Sequence, residues 1–283
     1  MCIRDRLKQR IITAVILAAF VLWALFTWPA EYFGVFLLFC TAACAWEWTR
    51  LGNVRALPWR IAYTVIVTAV VAGLVFSGLA LLKIIVPLAL LVWLMISIDL
   101  ARRSVISLEN DSPDWFLLVL AAFLLATAVA SLYLALVERS ALYVVYIIAV
   151  VAAADIGAYF SGKRFGRRKL AVSISQGKTI EGAIGGMAAA SALALLVTLF
   201  ARFFAENSYV VSAFSGLGTG FLAVSFMAAL LSIVGDLFIS RAKRTVGVKD
   251  SGKLLPGHGG VLDRFDGLLA AAPWLAIPML WSF

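Results

Sequence analysis

The sequence predicts an all-α, polytopic membrane protein of about nine transmembrane helices, with a cytoplasmic N-terminus and a C-terminus outside. Three observations carry that prediction. The chain is 64% hydrophobic and 14% charged over 283 residues, whereas a soluble domain is nearer half apolar and a quarter charged. Its apolar residues gather into runs close to the ~20 residues that a helix needs to span a bilayer. Its basic residues concentrate in alternate loops, as cytoplasmic loops require.

The runs fall, in order, at 11–28, 32–48, 61–78, 84–99, 115–137, 141–160, 180–201, 215–239 and 267–283. The fourth is short, as a tilted or partly re-entrant segment would be. The opening "MCIRDR" resembles a translated sequencing adaptor and is set aside from fold reasoning. No signal-peptide cleavage pattern follows it, so the first run is expected to remain as a span. With the N-terminus inside, only Lys83, Arg139 and Arg202 of the 24 Lys and Arg fall on the outer side. Content divides the chain into N-terminal transmembrane helices at 1–140 and a C-terminal catalytic transmembrane domain at 141–283. The first part is spans joined by plain loops. The second holds two cytoplasmic loops dense in polar residues. Cys2, Cys40 and Cys44 form no disulfide framework, and Cys40 and Cys44 read as small packing residues.

The second division carries the chemistry. Asp155 lies in "VVAAADIGAYFSGKRFGRRKL" and Asp236 in "LLSIVGDLFISRAKR". A carboxylate at membrane depth costs ~2.5–3.5 kcal/mol on insertion scales, a cost normally offset by a cation, a metal or water. Continuing the helix from Asp236 puts Ser240 and Lys243 on one face, with Arg244 beside them. That stripe runs from a deep carboxylate through a hydroxyl to two cations expected at the surface. In "KDSGKLLPGHGGVLDRFDG", Lys249 and Asp250 precede the chain's one histidine, His258, which is flanked by Gly257, Gly259 and Gly260. Bare glycines let backbone N–H groups approach an anion. Asp263 and Asp266 follow at i,i+3 around Arg264; capping of a helix start accounts for one of them but not for the whole group.

A further segment reads "SISQGKTIEGAIGG". A phosphate-binding P-loop needs a glycine where Val172 stands, so that reading fails. Lys178 and Glu181 share a face at the start of a span, and Gly182 with Gly186 forms a G-x-x-x-G pair suited to close helix packing. "GLGTG" at 216–220 reads as packing too. Carboxylates from separate segments suit Mg²⁺, which prefers oxygen ligands and substrate phosphates. The parts together favour phosphoryl or nucleotidyl transfer at the membrane surface, chemistry that needs positioning and charge neutralisation more than a covalent nucleophile.

The run from Ser240 to Asp266, "SRAKRTVGVKDSGKLLPGHGGVLDRFD", closely resembles the signature of the phosphatidate cytidylyltransferases, or CDP-diacylglycerol synthases. Ser240, Lys243, Arg244, Lys249, Asp250, Gly252, Leu255, Pro256, His258, Gly259, Gly260, Asp263, Arg264 and Asp266 all match it. The "DIGAYFSGKRFG" and "SQGKTIEGAIGG" segments resemble the family's other cytoplasmic motifs. Ala242, Gln176 and Ile239 depart from it, standing where the family prefers a larger apolar residue, a proline and, in many members, a glutamate.

The resemblance implies that CTP and phosphatidic acid give CDP-diacylglycerol and pyrophosphate. It implies a metal centre on Asp236 and Asp263, with Mg²⁺ alone or beside a second ion, divalent or K⁺. Asp236, Asp263, Lys249 and Arg264 would be catalytic. Lys243, Arg244, Lys249 and Arg264 would neutralise the triphosphate. His258, Gly259 and Gly260 would hold phosphate or ribose oxygens. Ser240, Asp250 and Asp266 would join them in binding substrate, while Asp155, Lys178 and Glu181 would close the second wall. The expected setting is a bacterial plasma membrane with the site facing the cytoplasm, membrane lipids as neighbours, no nucleic-acid partner, and small-residue faces that suit a homodimer. Two other readings use the same residues. A CTP-dependent lipid kinase of the polyprenol or dolichol type is disfavoured by the K-D…H-G-G…D-R-x-D run. An ion-coupled transporter is disfavoured because its inverted halves are not visible and the polar groups gather on one side.

Overall fold

The computed structural model describes residues 3–76, 79–102, 112–203, 214, 220–255 and 259–280. Nine helices run through these residues: α1 (Ile3–Thr27), α2 (Ala30–Leu51), α3 (Leu57–Phe76), α4 (Leu79–Arg102), α5 (Trp115–Glu138), α6 (Ala141–Phe165), α7 (Ile180–Phe203), α8 (Gly220–Thr245) and α9 (Leu262–Leu280). Seven of them, α2 to α8, are long and apolar enough to cross a membrane. The apolar part of α1 is the shorter stretch Ile12–Thr27. In α9, Asp263, Arg264 and Asp266 occupy the first turns, ahead of its apolar stretch. The short fourth run becomes the full 24-residue α4, with Pro87 inside it; Lys83 and Asp99 had cut its apolar signal at both ends. "GLGTG" lies outside the described residues up to Gly220.

One element departs from the all-α expectation. Between α6 and α7 the chain forms an antiparallel hairpin of β1 (Lys169–Ala171) and β2 (Ser175–Thr179), with Lys169 opposite Thr179 and Ala171 opposite Ser175. β2 carries no period-2 apolar alternation, since it reads "SQGKT", so the usual strand signal is missing.

Local signals set the helix ends. Pro29 separates α1 from α2, and Gly52 follows α2 with Asn53 in the left-handed region at φ 55°. Asp114 caps α5 by accepting from Leu117 N at 2.9 Å. Thr179 Oγ1 accepts from Gly182 N at 3.1 Å and so caps α7, as hydroxyls do at N-caps.

The main apolar cluster runs from Ala24 to Leu280, with the middle of α5 and of α9 buried, and a smaller one joins Ile174, Ile233 and Leu237. Trp48 of α2 and Trp93 of α4 both pack on Phe238 of α8, at ring-centroid distances of 5.9 and 5.8 Å. Tyr143 Oη donates to Leu275 O at 2.9 Å, and Trp274 Nε1 to Val224 O at 2.8 Å, so these two polar groups among the spans find partners inside the protein. Glycines bring α6 and α7 together. A Cβ on Gly186 would lie 2.5 Å from Ala154 O, and one on Gly182 would lie 2.9 Å from Ala158 O. The G-x-x-x-G pair therefore does pack helices closely, against α6 of the same chain. Cys40 and Cys44 are free thiols, Cys44 buried.

Candidate active site

The polar stripe on α8 exists, but Lys243 departs from expectation. Asp236 is half-buried and ion-paired through Oδ2 with Lys178 of β2. Ser240 Oγ donates to Asp236 Oδ1 at 3.2 Å. Lys243 does not reach the surface. It is only 9% exposed and its Nζ lies 2.7 Å from Asp263 Oδ1 on α9. Arg244 is exposed and donates from Nη1 to Val248 O at 3.3 Å, in the turn that follows α8.

A cavity of about 460 Å³ opens between α6, the hairpin, α7 and α8, with Asp155, Tyr159, Lys163, Lys178, Thr179 and Asp236 on its wall. Asp155 feels the charges of Asp236, Lys178 and Arg264. Asp266 belongs to the same group. Burial first, then the charges of Asp236 and Asp155, push its carboxyl up to about 7. Like charges crowded at one site disfavour their own ionisation. Gly235 makes this approach possible, because a Cβ there would run into Asp266 O. The structure thus gathers Asp155, Lys178, Asp236, Ser240, Arg264 and Asp266 from four segments of the chain.

Asp263 is buried and is held by a different set of partners. Its Oδ1 takes Lys243, and its Oδ2 accepts from Ser251 N and Gly260 N, each at 3.0 Å. Burial would raise its carboxyl, but Lys243 and the Gly260 and Ser251 N–H groups hold it below the ordinary carboxylate range. Gly259 adopts φ +81°, and a Cβ there would lie 2.8 Å from Asp263 Oδ2. The loop before α9 closes through Leu255 N to Gly259 O at 3.0 Å. Lys249 and Asp250 are exposed on it. His258 lies outside the described residues.

Glu47 of α2 is a buried carboxylate tied to this loop that sequence reasoning missed. It is 2% exposed and accepts from Ser251 Oγ at 2.7 Å, Val261 N at 3.0 Å and Leu262 N at 3.0 Å. The start of α9 is therefore capped by a carboxylate more than 200 residues upstream in the chain. The signal was there: a lone acidic residue at the end of the second apolar run, where ionisable groups are functional by default. With Gly260 N engaged by Asp263, the glycine-rich loop holds anions that belong to the protein itself.

Glu181 does not face the cavity. It accepts from Arg167 N at 3.0 Å and Arg168 N at 3.1 Å, and pairs with the Arg168 guanidinium at 3.2 Å. It ties down the turn between α6 and β1. Of the three departures, Ile239 is fully buried in the core, Ala242 is buried and Gln176 is exposed.

Among the described residues, no three His, Cys, Asp or Glu side chains meet as a ready metal cage. The donor set nevertheless fits Mg²⁺, which is held by one or two carboxylates plus substrate phosphates. Asp236 and Asp263 each keep lone pairs beyond the donors they accept.

Known proteins resemble this chain along nearly its whole length. A family model described as "Cytidylyltransferase family" matches residues 8–282. A phosphatidate cytidylyltransferase of Pseudomonas aeruginosa is 38% identical over 98% of this chain and 97% of its own. That of Haemophilus influenzae is 35% identical over 95% and 97%, and that of Brucella suis 37% over 96% and 92%. A match along nearly the whole length, through the loop that binds Glu47 and Asp263 together, shows that the chain belongs to the cytidylyltransferase family.

Proposed function

We propose that this protein is a phosphatidate cytidylyltransferase that joins CTP and phosphatidic acid into CDP-diacylglycerol and pyrophosphate at the cytoplasmic face of a bacterial plasma membrane. The observation that carries the reading is the open cavity on Asp155, Lys178 and Asp236, set among apolar helices. It would offer cations to the CTP triphosphate and the phosphatidate headgroup while leaving acyl chains in lipid.

A phosphatidate oxygen attacks the α-phosphorus of CTP in line; a P–O bond forms there, and the bond to the β-phosphate breaks with its electron pair leaving on pyrophosphate. The phosphatidate headgroup is already anionic, so no strong general base is required. Lys178, which lines the cavity and pairs with Asp236, would neutralise phosphate oxygens there, and Arg264 at the start of α9 would support it from beside the same carboxylates. Exposed Lys249 would meet the leaving pyrophosphate. Lys243 fixes Asp263 rather than reaching substrate. Mg²⁺, held by Asp236 and Asp263, would supply charge neutralisation on the triphosphate when bound. We place the N-terminus inside and the C-terminus outside across nine spans, a reading supported by the one-sided distribution of Lys and Arg.

The test is product analysis. Purified protein in detergent receives labelled CTP, phosphatidic acid and Mg²⁺. CDP-diacylglycerol with pyrophosphate is expected, vanishing with a chelator and falling at least ~100-fold in Asp236→Asn, the scale of losing one preorganised charged contact. A phosphorylated lipid with free CDP would instead mark a lipid kinase and end the proposal.

A further inference from the structure

Glu47 has no place in the reaction just described, yet it is among the most completely engaged carboxylates in the protein. It approaches from α2, while every group it binds lies between Ser251 and Leu262. Two glycines of that loop exist in the shape Glu47 demands. A Cβ on Gly252 would collide with Glu47 Oε1, and one on Gly260 with Glu47 Oε2 and Ser251 Oγ. Neither glycine needs a positive φ, since only Gly247 and Gly259 among the described glycines adopt one. What they supply is room for a carboxylate.

Ser251 is the junction. Its side chain donates to Glu47 Oε2 and its N–H to Asp263 Oδ2. Its carbonyl accepts from Arg50 Nη1 at 3.5 Å, one turn further along α2. Asp263 in turn holds Lys243. A continuous hydrogen-bonded line therefore runs from α2 through the loop to α9 and α8. We infer that Glu47 is a positioning residue for cytidylyl transfer: it ties Ser251 to Val261 and Leu262 at the start of α9 and so fixes Asp263 and Lys243 relative to the cavity. The inference rests on the proposed reaction for its kinetic readout and on geometry alone for its structural one.

Glu47→Gln keeps the size of the side chain but replaces one acceptor oxygen by a donor that faces N–H or O–H groups. Three quantities decide the matter: kcat and KM for CTP, the rate of tryptic cleavage at exposed Lys249 and Lys253, and the melting temperature in detergent. The expected result is a kcat lower by roughly 30-fold, as for loss of a positioned polar contact, with KM for CTP changed less than about threefold. Cleavage in the loop should accelerate about tenfold while melting moves by only a few degrees. Ser251→Ala, which deletes one donor, should shift kcat and cleavage in the same direction by a smaller factor. If Glu47→Gln fails to fold, Ser251→Ala decides alone. Wild-type kcat and cleavage in the folded Glu47→Gln protein, or in Ser251→Ala when that variant stands alone, overturns the inference. A wild-type protein that makes no CDP-diacylglycerol defeats the proposed function instead, and the cleavage rates still report on Glu47.

Discussion

Replacing Asp263 by asparagine tests the buried layer of the site through stability, independently of turnover. The Lys243 and Asp263 side chains are 11% and 7% exposed, and their charged atoms lie 2.7 Å apart. At an effective dielectric of about 20, that separation corresponds to about 6 kcal/mol of gross attraction, much of it offset by desolvating both ions. The substitution would leave Lys243 buried without a counter-charge. It would also set an amide where one carboxylate oxygen had accepted an N–H, because Lys243 approaches one oxygen and Ser251 N with Gly260 N the other. Removing one partner of a buried pair costs about 3–5 kcal/mol, and the retained amide oxygen recovers about 1 kcal/mol. The expected loss is therefore about 3 kcal/mol, read as a fall in melting temperature on the order of 6–10 °C. Lys243→Met with Asp263→Leu should lose at least ~1.5 kcal/mol less than the two single changes summed, since neither ion is then stranded. The pH dependence has a definite sign. The folded carboxyl lies below its ordinary value, so its stabilisation is complete above about 3.9 and is lost as the pH falls through the lower folded value. An Asp263→Asn protein within about 0.5 kcal/mol of wild type, or strict additivity in the double variant, would refute the picture of a dry, mutually dependent pair.

Two further expectations concern packing and charge. Gly186→Ala puts a Cβ 2.5 Å from the backbone oxygen of Ala154, so it should destabilise by about 1–3 kcal/mol in the same melting assay, whereas Gly73→Ala meets nothing within 4 Å and should gain up to ~1 kcal/mol of helix propensity. Lys249→Ala and Arg264→Ala should each raise KM for CTP by roughly tenfold, the worth of one charged hydrogen bond, with melting unchanged in Lys249→Ala, whose side chain is exposed.

Helices were legible in the sequence because lipid demands long apolar runs, and each of the nine runs corresponds to one helix. The hairpin was not, because "SQGKT" gains its strand pairing from β1 and not from a pattern of its own. The α8 stripe was legible from spacing, yet the fate of Lys243 was not: periodicity places a side chain on a face but cannot say that Asp263 of α9 waits there to bury it. Asp155, Asp236 and Lys178 were readable as conspicuous charges in apolar company, and the cavity does collect them. Glu181 was readable by the same rule and went elsewhere, because the Arg167 and Arg168 N–H groups of the neighbouring turn reach it first. Glu47 escaped notice because everything it touches is remote in sequence.

Set side by side, the two layers of the site divide the labour that phosphate chemistry imposes. In the inner layer, Glu47, Ser251, Asp263 and Lys243 satisfy one another, and the amides of Ser251, Gly260, Val261 and Leu262 are spent on protein carboxylates. Groups so engaged hold their geometry because each rotamer is fixed by several partners. They cannot also serve as a phosphate cradle. In the outer layer, Asp155, Asp236 and Asp266 repel one another around Lys178 and Arg264, which leaves the charge there unbalanced. An unbalanced layer responds to what enters it; a balanced one does not. Gly252, Gly259 and Gly260 thus serve the frame, and on the proposed reaction this leaves the CTP triphosphate and the phosphatidate headgroup to side-chain cations such as Lys178 and Arg264, which come from different segments of the chain.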